Sequence, residues 1–331
     1  HIIMDGTSQI IFFQKITGFY NGAEFPPLNL QYKDYCEWQN QEEQRTPVNL
    51  QKEYWLKELQ GNLPVLNLPI DFPRPPEQSF EGDKIFFSSD KEQLDRLKKF
   101  ALEAQVTLYM LCLAFFYTLL YKITGQEDII LGTDTSGRKH TDLNDLIGMF
   151  VNTVVLRNYP TAHKTFAAFL QEIKERTLAA FDNQDYPFNE LLEQVLSQRD
   201  MSRNPIFDVA YYNAASAGET GPGQVQAVQE LQVAPGDDLR PLILKPYRGE
   251  DKTAKFDLTL HITEADDGLY FIIEYCTRLF RKEKIEALAA LYREIVDIVL
   301  LDPGIKLEEI EISLSQLAIK NKEIQLDELE F

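Results

Sequence analysis

Two side chains near the start of the chain carry the most direct chemical promise: His1 and Asp5, with Gly6 beside them. Imidazole is the side chain best suited to exchanging a proton near neutral pH, and a nearby carboxylate could orient it. The same carboxylate could instead hold the backbone through a buried ion pair, and a lone terminal histidine also reads as a surface residue or a tag remnant. Backbone amides near Gly6 could receive a developing oxyanion. Further along, Asn152 and Arg157 sit beside a buried apolar run, where polar side chains could line a tunnel or satisfy backbone groups. Cys36, Cys112 and Cys276 are far apart and fit no metal-ligand spacing, so they read as reduced structural thiols and no metal site is expected.

The elements that must position these groups alternate between helix and strand. Residues 8–20 read as a helix that stops at Asn21-Gly22, and residues 32–59 as two amphipathic helices separated near Thr46-Pro47. The proline-punctuated stretch 63–76 (LPVLNLPIDFPRPP) reads as an extended strap between two structural units, because proline fixes φ and removes amide donors. Beyond it, the spacing predicts a strand at 83–88, a capped helix at 90–103 and a nearly all-apolar, hence buried, helix at 108–123. Strands follow at 128–132, 148–156, 207–212, near Leu242, at 256–263 and at 269–275, with helices at 164–181 and 282–300. The Gly-, Ala- and Gln-rich run 215–235 reads as a mobile or ligand-flanking loop, and 315–331 as an acidic tail toward another domain.

Composition narrows the partners. A formal charge of -19 opposes binding to a phosphate backbone or an anionic membrane, so neither nucleic acid nor membrane is expected. With 44% hydrophobic residues over 331 positions, a large core is affordable, and the absence of a long apolar run or leader pattern suggests a cytoplasmic location. The chain enters directly on an apolar run at His1, which reads as a fragment of a larger folded unit.

Six motifs, in order, resemble the condensation domains of nonribosomal peptide synthetases. Residues 1–6 (HIIMDG) are similar to the second half of the HHxxxDG signature, with His1 at the position of the active-site histidine. Residues 32–38 (YKDYCEW), which contain Tyr32 and Asp34, resemble YxDFAVW, and residues 125–138 resemble the GQxDIxxGTxxxGR segment. Residues 147–157, including Asn152 and Arg157, match IGxFVNTxxLR; 183–188, with Gln184 and Asp185, resemble HQDYPFE; and 199–208, with Arg199, Arg203 and Asp208, resemble RDxSRNPLFD. Departures are Cys36-Glu37 for Ala-Val, Asn183 for histidine and Asn189 for glutamate.

The resemblance implies an α/β fold like chloramphenicol acetyltransferase, a two-lobe sandwich of which this chain holds the end of the N-lobe (1–76), the C-lobe (77–314) and a tail or linker (315–331). It implies amide formation between a carrier-bound donor thioester and the amine of a carrier-bound acceptor, at His1, with Asp5 and Gly6 in support. The phosphopantetheine arms come from upstream donor and downstream acceptor carrier proteins, and no cofactor is bound intrinsically. An adjacent adenylation domain is expected, as is a preceding N-lobe segment supplying the arginine that pairs with the signature aspartate; without that segment the chain alone is expected to be inactive. Most other motif residues read as structural: Tyr186, Pro187 and Phe188 pack, while Arg203 and Asp208 pair or cap. The rivals are a noncatalytic docking platform for carriers and a starter or epimerising variant. A heterocyclising variant fits less well, since that group replaces its histidines with aspartates.

Overall fold

Short polar side chains set the helix starts. The computed structural model describes residues 3–196, 200–213, 252–315 and 317, and the backbone of 231–233 and 242–244. Asp5 accepts from the Ser8 N–H and opens α1 (Gly6–Tyr20); Asp90, Thr107 and Thr165 do the same for α4 (Lys91–Glu103), α5 (Leu108–Thr124) and α6 (Phe166–Asp182). Gly125, at φ 69°, closes α5 in the left-handed conformation that glycine adopts without strain.

Between α1 and the strap lie α2 (Tyr32–Gln39) and α3 (Glu42–Glu58). The expected break at Thr46-Pro47 is not there: Pro47 sits inside α3, and the chain turns at Asn40 and Gln41 instead. Proline frees the carbonyl one turn earlier, that of Glu43, and because this part of α3 is exposed, water can satisfy it.

Beyond the strap, six strands form one mixed sheet in the order β1-β8-β7-β4-β2-β3. They are β1 (Gly82–Ser89), β2 (Ile129–Thr135), β3 (Asn152–Asn158), β4 (Val209–Asn213), β7 (Leu258–Ala265) and β8 (Gly268–Cys276). Strands β2, β4 and β7 run parallel, so their carboxyl ends lie on one side of the molecule. Two short strands, β5 (Leu231–Val233) and β6 (Leu242–Leu244), pair separately; β5 falls inside the stretch expected to be a loop. The rest of that stretch lies outside the described residues. A short helix that periodicity did not reveal, α7 (Phe188–Val195), follows α6.

One face of the sheet carries the core. Phe87 and Phe271 stack at 4.7 Å between centroids and meet Tyr292 of α8 (Lys282–Leu301) edge-on. Every residue of α5 from Met110 to Leu120 is buried, with Phe115 stacked on Phe166 of α6 and Phe116 on Tyr211 of β4. Full burial of each large apolar side chain contributes about 1.5–3 kcal/mol, so α5 is the chief apolar anchor of the sheet. Among the described residues no single helix is long and apolar enough to cross a membrane.

Candidate active site

The cap of α1 is also the centre of the site. Asp5 is fully buried, and its carboxylate accepts from the Ser8 N–H at 2.8 Å and the Phe150 N–H at 3.1 Å. Arg138 Nη2 donates to both carboxylate oxygens, at 3.1 and 3.3 Å, and to Ser8 Oγ at 2.8 Å. The other arm of the guanidinium donates to the carbonyls of Leu143 and Leu146, and Arg138 Cζ lies 4.0 Å from the centroid of the Phe150 ring. The carboxylate and both terminal nitrogens of the guanidinium thus spend their hydrogen bonds on each other, on Ser8 and on backbone, which offsets the cost of their burial, while Arg138 Nε is buried without a partner.

Burial by itself would raise the Asp5 carboxyl; the hydrogen bonds from Ser8 and Phe150 and the Arg138 charge outweigh it and hold the group below the usual carboxylate value. The resemblance implies this arginine in a preceding N-lobe segment; among the described residues Asp5 pairs instead with Arg138, on the loop after β2. The loop expected to be the start of β3, residues 148–151, is held by side chains rather than by a strand. Gly148 meets Ser8, the Met149 carbonyl accepts from the Tyr32 hydroxyl at 2.7 Å, and the Phe150 N–H meets Asp5. Strand β3 therefore begins only at Asn152, opposite Thr135. Tyr32 packs edge-on against Phe150, and burial pushes its phenol up to about 12.

His1, four residues before Asp5, lies outside the described residues, as does Arg199. Gly6 is buried in the first turn, where the Ser8 amide is already taken by Asp5. The other candidates fall into separate groups. Asp34 accepts from the Gln31 N–H at 2.8 Å and caps α2. Asn152 donates to the carbonyls of Gln184 and Tyr186 at 2.7 and 2.9 Å, while Asp185 meets Gln51 and Lys139 at 3.1 and 2.6 Å, so these residues bind the turn after α6 to β3 and α3. Gln184 also donates to the carbonyl of Phe181.

Arg157 forms a two-pronged pair with Asp128 at 2.9 and 2.7 Å and reaches the Glu58 carbonyl at the end of α3. Arg203 pairs with Asp208, beside a second pair of Arg74 and Asp257. Burial, then the neighbouring Asp257, raises the Asp208 carboxyl. Among the described candidates, Asp5, Gly6 and Tyr32 are thus brought together around the 146–150 loop. Sequence reasoning missed Ser8 and the pairing of Arg138; the one available signal was the Gly137-Arg138 pair within the third motif.

The fold is shared with a four-domain nonribosomal peptide synthetase solved with AMP and glycine (TM-score 0.78, 24% identity, covering 94% of this chain and 24% of that one). It is shared equally with the X-domain from teicoplanin biosynthesis (TM-score 0.78, 24% identity, 94% and 70% covered). Both are likenesses of fold, of the chloramphenicol acetyltransferase-like kind.

The family follows from sequence: the condensation domain model matches residues 1–317, and the chain belongs to the condensation domain family. Bacitracin synthase 3 of Bacillus licheniformis is 43% identical over 311 residues, which are 94% of this chain and 5% of that protein. Surfactin synthase subunit 1 of Bacillus subtilis (strain 168) is 45% identical over 314 residues, 94% of this chain and 8% of that protein. The chain therefore spans less than a tenth of these two relatives.

Proposed function

We propose that the chain is the histidine-bearing part of a condensation domain that joins a carrier-bound donor thioester to the amine of a carrier-bound acceptor, in the synthesis of a nonribosomal peptide such as an antibiotic. The observation that carries this reading is the lock of Asp5, Arg138 and Ser8, which fixes the start of α1 against the loop after β2. His1 accepts a proton from the acceptor amine as it attacks the donor carbonyl; the tetrahedral adduct collapses to the amide, and the donor thiolate leaves and takes up the proton. His1 must be neutral beforehand. Holding both thioesters together removes the cost of a bimolecular encounter and supplies much of the rate.

Both phosphopantetheine arms arrive on carrier proteins, an adenylation domain loads the acceptor, and the assembly works in the cytoplasm. The division into 1–76, 77–314 and 315–331 belongs to this reading. So does a preceding N-lobe segment, supported by the apolar face that α1 leaves open: Ile10, Phe12, Phe13, Ile16 and Phe19 are all at least 40% exposed. The X-domain match, of which about a third lies outside the region shared with this chain, fits that reading.

The test is single-turnover amide formation by an intact synthetase carrying this chain, with loaded donor and acceptor carriers, comparing wild type with His1→Ala. Loss of product with carrier binding retained is the expected result; unchanged product overturns the role of His1. A second reading, a docking platform without chemistry, draws on the likeness to the X-domain solved in complex with OxyB (TM-score 0.76). It predicts carrier binding with no amide product in the wild type.

A further inference from the structure

We infer that Ser8 is a positioning residue of this site, one that sets where Asp5 and the first turn of α1 sit relative to the loop after β2; the inference rests on the proposed function. The Ser8 side chain is fully buried in the first turn of α1. Its hydroxyl donates to the Gly148 carbonyl at 2.8 Å and accepts from the Gly148 N–H at 3.0 Å and from Arg138 Nη2 at 2.8 Å. A hydroxyl has one donor and two acceptor positions, and all three are used. Its backbone N–H is spent on Asp5, so Ser8 grips the chain before it and the loop across from it at once.

The opposing residue is shaped for this contact. A Cβ at Gly148 would lie 2.1 Å from the Tyr32 ring, so the backbone at 148 is held between an aromatic ring on one side and a hydroxyl on the other. Asp5 holds the Phe150 N–H with its carboxylate and the Gly148 carbonyl with its own N–H, and Tyr32 holds residue 149; Ser8 bonds both polar groups of Gly148 and the arginine as well. The three Ser8 bonds fix the first turn of α1 against the loop. Removing the hydroxyl leaves the Gly148 N–H and one Arg138 N–H short of a partner in a buried place, while the Gly148 carbonyl keeps the Asp5 N–H at 3.1 Å. The relief is a displacement of α1, and of the Asp5 cap that opens it, from the loop.

The experiment is the same amide-forming assay with Ser8→Ala, measured as kcat and KM for the loaded acceptor carrier, with folding checked by circular dichroism and thermal unfolding. The expected result is a fall in kcat on the order of 100-fold, the scale of a misplacement of about 1 Å, with KM unchanged. A general loosening of the domain would move KM and the unfolding midpoint together instead. Should Ser8→Ala not fold, Ser8→Cys keeps the side-chain shape while replacing the hydroxyl with a weak hydrogen-bonding thiol, and the same split is expected. Wild-type kcat in either folded variant overturns the inference and leaves the function standing; absence of amide product in the wild type overturns both.

Discussion

Asp5 is a carboxylate whose folded-state proton affinity is lowered by its partners, and this has a definite sign. A group with a depressed folded value contributes stability that is fully present above the ordinary carboxylate value of about 4 and is lost as pH falls through the lower folded value. Acid unfolding should therefore include a component from this lock, and Asp5→Asn should flatten the stability profile below about pH 4 while lowering stability at neutral pH. Chemical unfolding followed across pH measures both; an unchanged acid limb in Asp5→Asn would show that the lock carries no linked proton. At this scale the sequence revealed Asp5 but not its company. Arg138 is 133 positions away and Gly148 140 from Ser8, and no spacing rule connects residues that only the packing of α1 against a loop brings together.

Where α1 meets the 148–150 loop, an element end is placed by side chains instead of by strand pairing. Apolar patterning carried the reading of β3 back to Gly148, because a loop rich in Met, Phe and Val has the same composition as a strand. The polar side chains that claim its backbone groups are distant in sequence and leave no periodic trace. Helices with a cap and a single wet face, such as α4, were legible within a residue or two for the opposite reason: their signals are local. Gly148→Ala should cost about 1–3 kcal/mol by forcing the Tyr32 ring aside, and Tyr32→Ala in the same chain should recover part of that loss. Urea unfolding of the single and double variants measures the coupling; strictly additive losses would mean that ring and glycine do not meet.

On the scale of the whole molecule, the sheet is well buried on its helical face while α1 presents an unpartnered apolar one. Phe13 and Phe19 are each 60% exposed, and such a patch drives association of the chain taken alone. Sedimentation velocity should find the chain self-associating, with Phe13→Glu and Phe19→Glu shifting it toward monomer; a monomeric wild type would assign the face no such cost. The individual strands were legible, but not their order, since alternation says which residues face the core and nothing about which strand lies beside which. The order β1-β8-β7 has a consequence for how the protein is made. Gly82 pairs with Cys276, so at roughly 5–20 residues per second β1 leaves the ribosome roughly 10–40 seconds before the strand that covers its edge. During that interval the nearly all-apolar α5 is also out, its strands unfinished, and the nascent chain is open to capture by holding chaperones until β8 arrives.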